Sequence, residues 1–218
     1  MIRKLLQWLY PNRCLFCREI LPAEHEPLCP ACAVRELSGA GMQVTLPSGL
    51  PVITALRYQG LSRRLLLRYK FRGQANLCRP IARLMAQALN EQAADACFDC
   101  ITWVPTGFWR LTRRGYDQSG LLARELSRLL GVPCRRLLVK RRLNRRQSSL
   151  TYDERAANVR GVYRIKGTLP PGLSHILLVD DVITSGSTIS SAAEVLRSEG
   201  RRVTGLCLEN AMHRVSSD

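Results

Sequence analysis

Residues 176–188, Ile-Leu-Leu-Val-Asp-Asp-Val-Ile-Thr-Ser-Gly-Ser-Thr, limit the possible folds of this chain more than any other segment. Four apolar residues run straight into two adjacent carboxylates. A short stretch of hydroxyls around one glycine follows, and then the helical pattern of 189–199. An uninterrupted apolar run suits a strand covered on both faces. The N-terminus of the helix behind it offers unpaired N–H groups and a positive dipole end, which together suit a phosphate. Thr184, Ser185, Ser187 and Thr188 add hydroxyl donors, and Gly186 lets the backbone come close to a ligand. Asp180 and Asp181 would repel a phosphate; they suit sugar hydroxyls or a divalent cation instead. The ligand so described is a phosphorylated sugar. An ordinary strand ending before a capped helix would account for the apolar run and the cap. It would not account for two carboxylates and four hydroxyls around one glycine.

The segment resembles the phosphoribosyl-pyrophosphate (PRPP) signature of the type I phosphoribosyltransferases. The resemblance implies that Asp180 and Asp181 hold the ribose hydroxyls and that 184–188 wrap the 5′-phosphate, with Mg²⁺ accompanying PRPP. The rest of the chain agrees with such a fold. Strands are expected at 52–58, 101–104, 134–139, 162–165, 176–179 and 202–209, and helices at 62–71, 77–92, 119–130 and 189–199. Strands alternating with helices imply an α/β fold: a mostly parallel sheet with helices on both faces. Ligands bind such sheets beyond the carboxyl ends of the strands, where the Asp180-Asp181 loop and the loop after Pro105 converge.

Nine cysteines, with no secretory signal, argue against a disulfide framework. Cys14-x2-Cys17 and Cys29-x2-Cys32 form two knuckles that can close a tetrahedral shell around Zn²⁺. Pro22, Pro27 and Pro30 leave this stretch unable to build its own core, so the metal supplies folding free energy, and four sulfurs leave no open catalytic position. His25 reads as a loop residue. Cys97, Cys100, Cys78, Cys134 and Cys207 read as small buried residues. With 218 residues, the chain has room for a zinc module at 1–40 and a larger domain at 51–218, joined by a linker within 33–50.

Thirty-three basic and 17 acidic residues give a net charge of +16, which suits polyanionic partners without choosing among nucleic acid, pyrophosphate and phosphorylated metabolites. No apolar run reaches the ~18 residues of a membrane span. Residues 1–10 read as a short amphipathic helix rather than a secretory signal, so the cytoplasm is the expected location.

Arg110, Arg113 and Arg114 lie in the loop after Pro105, where guanidinium groups could stabilise a departing pyrophosphate. A denser basic run lies at 135–146; residues 138–158 suit a loop that closes over the substrate, and the same run suits contact with single-stranded nucleic acid. A solvated surface is the plain alternative. The cysteine pairs, the block Arg-Tyr-Lys-Phe-Arg-Gly at 68–73, the Arg-Arg-Gly-Tyr-Asp-Gln block at 113–118 and the PRPP signature together resemble the ComF family. That resemblance implies a PRPP-binding phosphoribosyltransferase-like protein linked to competence or to the use of external DNA. The acceptor is not named by any motif. The alternative it leaves open is a non-catalytic factor that senses PRPP or a nucleotide and binds single-stranded DNA or a DNA-uptake complex.

Overall fold

The computed structural model describes residues 11–22, 28–37, 41–107, 111–112, 115–141 and 161–212. Its centre is a five-stranded sheet. Strands β1 (Met42–Thr45), β2 (Pro51–Arg57), β3 (Cys100–Trp103), β6 (His175–Ile183) and β7 (Arg202–Asn210) lie in the order β1-β2-β7-β6-β3. β2, β7, β6 and β3 are parallel, and β1 pairs antiparallel with β2 at one edge. β4 (Leu138–Lys140) and β5 (Tyr163–Ile165) form a separate antiparallel pair.

β6 and β7 occupy the middle of the sheet. Ile176, Leu177, Leu178 and Val179 are completely buried, as expected of a strand with both faces covered. Alternation along this run divides the core. Leu177 and Val179 join one apolar cluster with α3 (Cys78–Ala93) and α4 (Gln118–Leu130), while Ile176 and Leu178 join another with α5 (Ser187–Arg197). α3 is amphipathic at helical spacing and buries Ile81, Leu84, Met85, Ala88 and Leu89. α4 starts at Asp117, whose side chain accepts from Gly120 N–H, and stops at Gly131 in the left-handed conformation. α5 comes very close to the sheet. A β-carbon on Gly205 of β7 would stand 3.0 Å from Ile189 Cδ1 and 2.9 Å from Val52 Cγ2, so only glycine fits there.

The front module is built differently. A knuckle at 12–21 is closed by hydrogen bonds from Cys14 N–H to Glu19 C=O and from Leu21 N–H to Asn12 C=O, and Cys29 and Cys32 flank the start of α1 (Pro30–Leu37). Leu15, Phe16 and Leu21 pack into the same apolar cluster as α2 (Gly60–Phe71), α3 and α4.

Three expectations need correction. Residues 33–50 are more than a linker: the last part of α1 and all of β1 fall within them. β6 runs on to Ile183, so the acid pair sits in the second half of the strand rather than in a loop, and α5 begins at Ser187, two residues early. Cys97 is exposed and Cys134 half-buried, whereas Cys78, Cys100 and Cys207 are buried as expected. The helix expected at 1–10, His25 and the basic stretch 142–160 lie outside the described residues.

Candidate functional site

A polar cleft of about 190 Å³ opens at the carboxyl ends of β3 and β6. Asp180, Asp181, Thr184, Gly186 and Thr188 line it from β6 and the turn into α5; Thr106 and Gly107 line it from the loop after β3. Lys70 from α2, Ser119 from α4, Lys140 from β4 and Tyr163 from β5 complete it.

The two acids differ. Asp180 turns back on its own chain: Oδ1 accepts from Asp181 N–H at 2.9 Å and from Ser119 Oγ at 2.9 Å. Burial, followed by the neighbouring Asp181 charge, pushes its carboxyl up to about 7. Asp181 instead holds a cation. Lys70 Nζ is 2.7 Å from Asp181 Oδ1, and both side chains are only 13% exposed. A pair so shielded is worth more than a surface salt bridge, and losing one partner would leave the other charge uncompensated.

The turn after β6 has the shape of an anion cradle. Gly186 takes φ 77° and stands at the N-cap of α5, and no side chain among the described residues caps that helix. Thr184, Ser185, Ser187 and Thr188 are exposed, with Ser185 Oγ and Ser187 Oγ 2.8 Å apart. Thr184 and Thr188 face the cleft; Ser185 and Ser187 are absent from its lining. The glycine has a second reason to be there. A β-carbon at 186 would meet Leu46 Cδ1 at 2.9 Å, so the β1–β2 connection closes over the turn from behind. Ser48 Oγ lies 2.8 Å from Ser190 Oγ, and Arg197 Nη1 donates to Ser48 C=O at 2.9 Å, which fixes that connection to α5.

Arg110, Arg113 and Arg114 lie outside the described residues. Nearby Asp117 is occupied structurally, accepting from Trp103 Nε1 at 2.7 Å and Thr106 Oγ1 at 2.9 Å while capping α4. Sequence reasoning missed Lys70, Ser119, Lys140 and Tyr163 as cleft residues. The signal for Lys70 was present in the block at 68–73. There Arg68 reaches back to the Leu15 carbonyl of the knuckle, Tyr69 Oη donates to Gln118 C=O at 2.8 Å, and Lys70 reaches Asp181. Three consecutive residues thus tie three parts of the chain together.

Away from the cleft, the Sγ atoms of Cys14, Cys17, Cys29 and Cys32 lie within 4.8 Å of one another, and Cys17 and Cys29 are 3.7 Å apart. Four sulfurs around zinc at ~2.3 Å stand at about this separation, so the donor set fits a closed, structural zinc site.

A mostly parallel sheet with an acid pair and hydroxyl-rich turn at its carboxyl end thus follows a four-cysteine cluster suited to zinc. Residues 5–38 match the family model described as a double zinc ribbon domain. The chain is 28% identical to the DNA utilization protein YhgH of Salmonella typhi, over 87% of this chain and 92% of that one. It is 34% identical to competence protein F of Haemophilus influenzae, over 62% of each. Orotate phosphoribosyltransferase from Aeropyrum pernix superimposes with a TM-score of 0.39 and 17% identity, covering 87% of this chain and 99% of that structure. The chain is also 28% identical to competence protein ComFC of Bacillus subtilis, over 66% of this chain and 57% of that one.

Proposed function

We propose that this protein binds PRPP, or a closely related phosphorylated ribose, in the cleft at the end of β6. On this reading it is a phosphoribosyltransferase-like protein serving the use of external DNA. The observation that carries the proposal is the meeting of Asp180, Asp181, the 184–188 turn and Lys70 in one polar cleft. The acids would accept hydrogen bonds from the ribose hydroxyls. The turn and the start of α5 would receive the 5′-phosphate through N–H and hydroxyl donors. Arg110, Arg113 and Arg114 are assigned to the pyrophosphate from the sequence. Mg²⁺ is proposed to enter with the pyrophosphate oxygens rather than to reside on the acids, because Asp181 already holds the Lys70 ammonium. Transfer to a nitrogen acceptor would then rest on positioning and charge stabilisation. Residues 1–40 are proposed as the metal module and 51–218 as the ligand-binding domain. Calorimetric titration with PRPP and Mg²⁺ tests the reading; no heat of binding at millimolar ligand rejects it.

The names of the relatives and the net charge of +16 favour a second reading, in which the protein also contacts single-stranded DNA or a DNA-uptake complex without turning PRPP over. Single-stranded DNA binding that weakens steeply with salt supports it. A flat salt dependence, or no binding at low salt, counts against it.

A further inference from the structure

Glu209 lies near the end of β7, between Leu56 of β2 and Val182 of β6 in the sheet register. It is 0% exposed, and among the described residues neither carboxyl oxygen has a hydrogen-bond partner. A buried carboxyl without partners is costly, and an aliphatic side chain would serve the core better. The charged groups that act on it come from three elements: Lys70 of α2, Asp181 of β6 and Glu36 of α1. Burial pushes its carboxyl up to about 8, Lys70 opposes that rise, and the two acids add to it. One ammonium therefore lies within electrostatic reach of two carboxyls, and among the described residues it pairs with Asp181.

We infer that Glu209 is a positioning residue for Lys70, the carboxyl on which the ammonium rests once a sugar phosphate has taken Asp181. This rests on the proposed reading of the cleft. With the cleft empty, Lys70 neutralises Asp181 and Glu209 keeps its proton. When ribose hydroxyls donate to Asp181, the Lys70 contact loosens. Glu209 then releases its proton to solvent and becomes the carboxylate partner of Lys70, which stays at the cleft wall facing the ligand's anionic groups. The buried acid is thus a reserve counter-ion, and its carboxyl oxygens, unpartnered among the described residues, are what let it serve.

Calorimetry at about pH 7.5, with PRPP and Mg²⁺ in two buffers of different ionisation enthalpy, counts the protons released on binding. Wild type is expected to release about one proton more than Glu209→Gln and to bind about tenfold more tightly. Equal proton counts and equal affinities overturn the inference. A wild type that binds no PRPP rejects the cleft reading instead, and a ligand-free measurement then decides the role of Glu209. Carboxyl ¹³C NMR of the Asp181→Asn variant, where Lys70 has lost its partner, should show the Glu209 midpoint lowered by about one unit or more. Adding Lys70→Met should reverse that drop. An Asp181→Asn midpoint that does not respond to Lys70→Met shows that Lys70 never turns to Glu209 and sinks the idea.

Discussion

Asp180 is held before any ligand arrives. Ser119 Oγ and Asp181 N–H both donate to its Oδ1, leaving Oδ2 for the cleft. Replacing both acids by alanine should therefore remove PRPP binding. Each hydrogen bond to a charged group is worth about 1.5–3 kcal/mol, so the loss should be at least about a hundredfold. The fold should survive, because both residues stand at the open end of β6 and are only partly buried. A double variant with wild-type affinity would refute the site. A pH effect follows from the same residues. Asp180 and Glu209 hold their protons to about 7 and about 8 when folded, against ~4 in an unfolded chain. Folded pKa values raised in this way give stability that is whole below pH ~4 and lost as the pH rises through the folded values, at ~1.4 kcal/mol per unit of difference. The chain's +16 charge acts in the opposite direction, since self-repulsion eases as pH rises. The informative comparison is therefore between wild type and Glu209→Gln. Thermal midpoints at about pH 6 and 8.5 should show the variant losing less stability over that range, and parallel curves would mean that Glu209 is not held neutral.

Among the elements, the turn between β6 and α5 shows how sequence and structure divide the work. The apolar run, the acid pair and Gly186 were all legible, because burial on two faces and a left-handed residue before a helix leave plain marks in a sequence. The partners were not. Leu46, which presses on Gly186, comes from a stretch that reads as a linker. β1 is only four residues long, alternates between half-buried and exposed, and is flanked by glycine and proline, so its periodicity is too short to see. Lys70 is 111 positions from Asp181 and meets it only because α2 packs against the sheet end; no local pattern encodes that meeting. The end of β6 is also hidden in the sequence, since acidic residues usually mark a strand's exit. Here the strand continues in register past them, Asp180 opposite Cys207 and Val182 opposite Glu209 of β7. Gly186→Ala tests the turn. The alanine would have to adopt φ 77° and push Leu46 aside, at a cost of about 1–3 kcal/mol. It should lower the denaturation midpoint and weaken PRPP binding together. A variant that loses stability but keeps full affinity would show that the turn does not hold the phosphate.

At the scale of the whole molecule, the question is whether the zinc module folds with the rest or apart from it. Cys14, Cys29 and Cys32 belong to the same apolar cluster as Leu65 and Tyr69 of α2, Met85 of α3 and Leu122 of α4. Arg68 bonds the knuckle carbonyl of Leu15, and two residues along the same helix Lys70 bonds the cleft acid. A segment of this size, with three prolines between its cysteines and few apolar residues, has little stability of its own, and metal binding is folding free energy for such modules. Stripping the metal should thus do more than release a loose end: it should withdraw Leu15 and Phe16 from the shared cluster and free the end of α2 that carries Lys70. Calorimetric unfolding of the zinc-loaded protein is expected to show one transition. Chelation, or Cys17→Ser, which removes the one exposed ligand, should move that whole transition to lower temperature by several degrees, since ~1 kcal/mol corresponds to about 2–4 °C in a chain of this length. Two transitions, with the upper one indifferent to chelator, would instead show that the module is an independent unit and that the Arg68 contact passes no influence from the knuckle to Lys70.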